Sequence, residues 1–423
     1  MRVRYRMPEQ NHMGRETVDT ADILSSKASS FGRGRCPFRI LHLIEGEGGG
    51  AVSHVLKLAQ EFRKRRIDCC VAFLSQGPSI PVAKEAGIPF VVLRKKFFLD
   101  PTPIPRLVYA IAEKNITVIH THTIRGNYYG RLATALYRGF LLNITTVHSH
   151  VLDELRGERH FGLKQRLLCH RESCLWPLVD HFICVSQKIQ ERLVATGISG
   201  RRTSVVENAV DIPDASLVKS HQKSVRQEFN IGDDEIIVGT IGRLVPLKNH
   251  GLFIKSAKQI AGRMKRVRFF VVGDGPLLEP LMNQAKTNGV HDAMIFTGWR
   301  QDVQRLMAAF DIYVICSLVE GFNLSVLEAM SCGKPVVGTD VKGISEIVID
   351  DQTGILVPSN DADSLTKAVV NLGEDKKKRE FMGVSGKKTV SRQYPVNKMI
   401  SDTLKSYEDT YVAKTKGSGG RYQ

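Results

Sequence analysis

The chain has 423 residues, 42% hydrophobic and 24% charged, a balance that excludes a disordered polyelectrolyte and supports a large core. Its length exceeds what one core usually serves, so two domains are expected. The formal charge of +17 suits anionic partners such as a phosphorylated ligand, an anionic membrane surface or nucleic acid.

Residues 1–36 lack apolar periodicity and read as an N-terminal extension. The first strand signal, FRILHLIE (38–45), runs into the glycine-rich GEGGG and then a helical stripe of Val52, Val55, Leu56 and Ala59. Strand-like runs follow at 68–74, 89–93, 117–121, 143–147 and 181–185, with helical stretches such as 104–114 and 128–137 between them. The polar segment 212–234 has no strand signal and reads as a linker. A second series begins at EIIVGTIGRL (235–244) and continues at 268–273, 293–297, 311–316, 335–338 and 354–357. Alternation of this kind specifies an α/β chain of two tandem, doubly wound parallel-sheet domains, 37–211 and 235–390. The remainder, 391–423, reads as a closing helix and tail that crosses back to the first domain.

No stretch reaches the ~18 to 20 apolar residues of a membrane span, and no apolar segment follows the basic start, so a cytoplasmic location is expected. The eight cysteines form no Cys-x-x-Cys pair, and several lie inside apolar runs, which argues for reduced, buried thiols. The cationic excess lies mainly before residue 214, but no aromatic residues interleave with it in a nucleic-acid-binding pattern. Two basic and apolar stretches, 94–98 and 161–176, are candidates for peripheral contact with the inner face of a membrane.

Parallel sheets bind ligands outside the carboxyl ends of their strands, so the natural site is the cleft between the two domains. In DIYVICSLVEGFNLSVLEAM (311–330) a strand ends near Cys316, a loop carries Glu320 and Gly321, and a helix starting near Leu324 carries Glu328. A helix start offers free backbone N–H groups to phosphate or sugar oxygens, and two carboxylates beside it can accept bonds from vicinal hydroxyls. Arg243 and Lys248 follow the strand 235–244 and suit a diphosphate whose charge grows as a sugar departs. Gly49 and Gly50 let backbone approach a phosphate closely, although the loop departs from a dinucleotide fingerprint. The two H-x-H pairs, His120/His122 and His148/His150, raise a metal reading, disfavoured because no acid or cysteine accompanies them.

Together Gly242-Arg243 with Lys248, Val272-Gly273-Asp274-Gly275-Pro276, Phe296-Thr297-Gly298-Trp299 and Glu320-Gly321-Phe322-Asn323-Leu324 through Glu328 resemble the retaining glycosyltransferases of GT-B fold with an E-x7-E motif, family 4 and group 1. The resemblance implies a nucleotide diphosphate sugar as donor, a glycan or lipid-linked acceptor, and no metal or other cofactor. It assigns Arg243 and Lys248 to the diphosphate, Glu320 to the transferred sugar, and the amides of Phe322, Asn323 and Leu324 to sugar hydroxyls and phosphate. Glu328 would grip the ribose, Trp299 and Arg300 would lie beside the nucleobase, and His148 would point at the reacting sugar. Gly49 and Gly50 would face the donor phosphate. It implies front-face transfer, with a nucleotide-sugar 2-epimerase or an inert sugar-binding relative as the alternatives of like architecture.

Overall fold

The computed structural model describes residues 36–97, 100–149 and 173–417. The stretch 161–172 and Phe98, parts of the two candidate membrane-facing segments, lie outside them, as does His150.

The first half alternates β1 (Arg39–Ile44), α1 (Gly50–Lys64), β2 (Asp68–Phe73), α2 (Ser79–Glu85), β3 (Phe90–Val92), α3 (Pro103–Glu113), β4 (Val118–His122), α4 (Thr123–Leu136) and β5 (Leu142–Val147). After the undescribed stretch come β6 (His181–Cys184), α5 (Gln187–Ala195) and β7 (Thr203–Val205). These seven strands form one parallel sheet in the order β3-β2-β1-β4-β5-β6-β7. The second half contains α6 (Ala215–Glu228), β8 (Ile236–Ile241), α7 (His250–Arg263), β9 (Val267–Val272), α8 (Leu278–Thr287), β10 (Met294–Gly298), α9 (Val303–Ala309), β11 (Ile312–Ile315) and α10 (Leu324–Ser331). It ends with β12 (Val336–Thr339), β13 (Gly354–Val357), α11 (Ala362–Glu374), α12 (Lys376–Gln393) and α13 (Val396–Gly417). Its six parallel strands run β10-β9-β8-β11-β12-β13. Two parallel sheets of Val- and Ile-rich strands covered by helices are what burial on both faces demands.

Three elements differ from the sequence expectation. The segment 212–234 contains α6, whose sparse apolar positions hide the fact that Val225 is fully buried. Glu228 at its end is held by Arg300 and Arg305, so this helix is packed structure rather than a bare connection. Strand β7 (Thr203–Val205) has no counterpart in the sequence expectation. A third difference is that a long helix, α12, precedes the closing segment; α13 itself lies on the first sheet, where Lys414 Nζ sits 2.7 Å from Asp180 and Tyr407 is fully buried against His120.

In each sheet the strand order reverses once, between β1 and β4 and between β8 and β11. The carboxyl ends of those four strands and the segments that follow them carry Gly48–Gly50, His122, Arg243 and Glu320. This is the crevice at which open parallel sheets take their ligands. The halves are welded beside it, because Val185, Ile189 and Leu193 share one apolar cluster with Phe322, Ile344 and Tyr394.

Candidate functional site

The loop after β8 is shaped by glycine. Gly273 and Gly275 have φ of 137° and 154°, and a Cβ on either would fall 2.0 Å from Gly242 O or 2.6 Å from Leu244 O. Only glycine lets the β9 loop lie this close, and Leu244 N–H then donates to Asp274 O at 2.9 Å. The clamp presents Arg243 exposed, with no partner for its guanidinium among the described residues. Lys248, on the following turn, donates to Glu320 Oε1 at 2.5 Å. That pair is mostly buried, the Glu320 side chain being 10% exposed.

Beyond Glu320 the chain enters α10. Asn323 caps the helix by accepting from Val326 N–H at 3.1 Å, and Ser325 Oγ donates to the same carbonyl oxygen at 2.6 Å. The backbone N–H of Asn323 donates to Gly343 O at 3.3 Å, so of the three amides assigned to the donor this one is engaged within the protein. Phe322 packs its buried ring on Tyr394, and Leu324 comes within 3.5 Å of a Cβ position on Gly50. Glu328 stands one turn into the helix, half-buried, with no hydrogen-bond or ion-pair partner among the described residues. Burial without a compensating cation pushes its carboxyl up to about 7. A carboxylate kept this way is held ready for donors that arrive with a ligand.

The first half meets this loop directly. A Cβ on Gly321 would lie 2.2 Å from His148 O, and one on Gly48 would lie 3.3 Å from Trp299 Nε1. Gly49 has φ of 127° with nothing within 4 Å of its absent side chain, so it combines a glycine-only backbone with open space. Asn208 donates from its side chain to Phe322 O at 3.5 Å. Trp299 is 47% exposed, its indole beside the glycine loop. Arg300 is turned elsewhere: its guanidinium meets Asp302 at 2.7 Å and Glu228 at 3.0 Å, an ion-pair cluster shared with Arg305. The ring expected beside the base lies at the seam between the halves, whereas the cation after it is committed to the α6–α9 contact.

Sequence reasoning found His148, His120 and His122 but missed two further histidines. His42 on β1 pairs in register with His120 on β4, so both point to one face of the sheet, and His122 follows two residues later on the same face. Leu41, Leu43 and Ile119 occupy the opposite face with α3 and α4. Helix α1 adds His54, whose ring centroid is 5.0 Å from that of His148. His42 Nδ1 is 3.2 Å from His122 Nε2, and His122 Nδ1 is 3.1 Å from His148 Nε2. His120 is held by Tyr407 Oη and Thr146 Oγ1, both at 2.6 Å. Burial of five rings without a carboxylate holds His42 down to about 3 and His54 to about 4, and keeps His120, His122 and His148 well below their ordinary value. Thr123, immediately after His122, has φ of 65°, an uncommon conformation for a β-branched residue that turns strand into helix without a loop.

Two sets, His42/His120/His122 and His54/His122/His148, have ring nitrogens within 4.8 Å of one another. Neutral imidazoles crowded so closely are metal-compatible in chemistry. Their lone pairs are largely committed, however: both nitrogens of His120 face hydroxyls, and both of His122 face other rings. Among the described residues no helix is long and apolar enough to cross a membrane. Within the candidate surface stretch 94–98, Lys95 is directed to Glu45 at 3.6 Å, while Phe97 is exposed.

Comparison with known proteins agrees with this architecture. Residues 48–213 match the family described as Glycosyltransferase Family 4, and residues 221–389 match Glycosyl transferases group 1. The UDP-Gal:alpha-D-GlcNAc-diphosphoundecaprenol alpha-1,3-galactosyltransferase of Escherichia coli is 25% identical over 66% of this chain and 71% of its own length. The GDP-mannose-dependent alpha-(1-6)-phosphatidylinositol monomannoside mannosyltransferase of Mycolicibacterium smegmatis is 32% identical over 38% of this chain and 45% of its own. The crystal structure of Anabaena HepE in complex with UDP and glucose superposes with a TM-score of 0.76 at 23% identity, covering 88% of this chain and 99% of that one. With both halves matched in chain order and both sheets parallel, the chain belongs to the glycosyltransferases of GT-B fold, a family 4 domain followed by a group 1 domain.

Proposed function

We propose that the chain is a retaining glycosyltransferase that moves a hexose from a nucleotide diphosphate sugar to a hydroxyl of a lipid-linked saccharide, in cell-surface polysaccharide or glycolipid synthesis. The observation that carries this reading is the Lys248–Glu320 pair and the unpartnered Glu328 flanking the start of α10, with Leu324 against Gly50 and the exposed Arg243 on the same loop as Lys248. Arg243 and Lys248 supply positive charge where a diphosphate would leave, which is electrostatic stabilisation by groups already in place. Glu320 orients the transferred sugar, and Glu328 accepts from the ribose hydroxyls. The leaving phosphate oxygen takes the acceptor's proton on the face it vacates, which retains the anomeric configuration. Two cations suffice for the developing charge, so no metal is required. The lipid-linked acceptor rests on the two relatives above, whose names specify a diphosphoundecaprenol and a phosphatidylinositol acceptor.

A donor screen tests the proposal. UDP-, GDP- and ADP-hexoses are incubated with the full chain, alone and with EDTA, and with the Arg243→Ala and Glu320→Ala variants. Thermal shift and nucleotide release are followed. One donor class should stabilise the protein, Arg243→Ala should abolish that shift, and EDTA should leave it intact. Stabilisation by none of the donors refutes the reading. Product NMR with a diphosphate-lipid saccharide acceptor then reports the anomeric configuration.

A further inference from the structure

The histidine cluster contains a direction that its geometry determines. His42, His122 and His148 are joined end to end through Nδ1···Nε2 contacts of 3.2 and 3.1 Å. A neutral imidazole carries one N–H and one lone pair, so in such a chain every ring must take the same tautomer, and the choice at one end sets the other. The far end is His42 Nε2, which is buried and has no hydrogen-bond partner. A buried N–H without an acceptor is rarer and costlier than a buried lone pair without a donor. The lone pair therefore belongs at His42 Nε2, and the proton at His42 Nδ1.

We infer that the chain runs one way, from His42 Nδ1–H to His122 Nε2 and from His122 Nδ1–H to His148 Nε2, so that His148 offers an N–H at Nδ1 to the ligand. His148 is half-buried beside Gly321, and its Nδ1 has no partner among the described residues. The ligand atom it takes must be an acceptor, a hydroxyl or phosphate oxygen. In this tautomer Nδ1 has no lone pair with which to remove the acceptor's proton. His42 and His122 are positioning residues: they touch no substrate but fix which nitrogen of His148 bears hydrogen. The alternation also accounts for His42 standing among Ile40, Leu41, Leu43 and Ile44, where Phe62 stacks on its ring at 5.9 Å. The inference deepens the proposed function and rests on it for the identity of the ligand, but not for the tautomers themselves.

The test uses the full chain labelled with 15N-histidine, with long-range 1H–15N correlation distinguishing protonated from lone-pair nitrogens and single His→Gln variants assigning the rings. In the ligand-free wild type, His42, His122 and His148 should each carry hydrogen on Nδ1. His42→Asn places an amide N–H near the original Nδ1 and should preserve the His148 pattern. His42→Leu removes that donor and should mix or reverse it. With the donor found by the screen, His42→Leu should lower kcat about five- to tenfold, the loss of one neutral hydrogen bond, with the donor KM within about twofold, and His42→Asn should recover most of it. Hydrogen on Nε2 of wild-type His148, or a His148 pattern unchanged in His42→Leu, overturns the inference. The spectra decide this even if no sugar donor is found, so failure of the proposed function and failure of the chain are read separately.

Discussion

Glu328→Gln isolates the energetic consequence of leaving a carboxylate without a partner. Burial raises Glu328 from 4.5 to about 7, a gap worth roughly 3 kcal/mol of disfavoured ionisation. The sign follows from proton binding. Between those two values the unfolded chain has lost the proton and the folded chain still holds it, so stability falls as pH rises from about 4.5 to about 7 and the full penalty persists above. Glutamine has no ionisation to disfavour. The variant should match the wild type near pH 4.5 and exceed it at pH 8.5, by up to about 3 kcal/mol, or about 3 to 6 °C in Tm for a chain of this size. Scanning fluorimetry at the two pH values reads the difference. The same substitution should weaken nucleotide binding about tenfold or more, because an amide offers a ribose diol only one acceptor oxygen and no charge. A Tm difference independent of pH, or a glutamine variant less stable at pH 8.5, would refute the reasoning by showing that the carboxylate has a partner.

Two further substitutions probe the seam and the ion-pair cluster. Gly321→Ala would place a Cβ 2.2 Å from a backbone carbonyl of the first half, so the halves must part; kcat/KM should fall at least about tenfold and stability by about 1–3 kcal/mol. Gly262→Ala, with nothing within 4 Å on α7, should instead leave activity intact and add roughly 0.5–1 kcal/mol, and equal effects of the two in a thermal and kinetic comparison would remove the seam argument. Arg300→Ala breaks contacts to Asp302 and Glu228 and should cost about 1–2 kcal/mol in denaturant unfolding, with donor affinity within about twofold. A large loss of affinity there would return Arg300 to the nucleobase.

What the sequence disclosed divides along a physical line. Strand and helix alternation is local, and it located both sheets to within a residue or two at most strand ends. The residues proposed to bind the donor are also local, because Arg243 with Lys248, and Glu320 with Glu328, each sit within one loop or one helix start. Pairing between distant strands is not local. The register that sets His42 against His120 brings residues 78 apart into one cluster, and no spacing in the sequence signals it. The one trace is His42 in the middle of the apolar run 40–44. Arg300 shows the complementary case, since adjacency to Trp299 says nothing about Glu228, which reaches it from α6.

On the roles proposed for them, the paired Lys248 and Glu320 would make phosphate and sugar recognition interdependent. A bare nucleoside diphosphate that draws Lys248 away leaves Glu320, 10% exposed, with an uncompensated charge. A nucleotide sugar that draws the same lysine brings hydroxyls to the carboxylate it vacates. Wild-type protein should therefore bind the nucleotide sugar more tightly than the nucleoside diphosphate, by about tenfold, even though the free diphosphate carries the additional negative charge on its terminal phosphate. Glu320→Gln frees Lys248 without creating a buried charge, so it should tighten the nucleoside diphosphate by about tenfold and weaken the sugar's added contribution. Calorimetric titration of both ligands into both proteins measures all four affinities, and the coupling is their double difference. If Glu320→Gln weakens both ligands equally, the ion pair is a structural contact and the exchange does not occur.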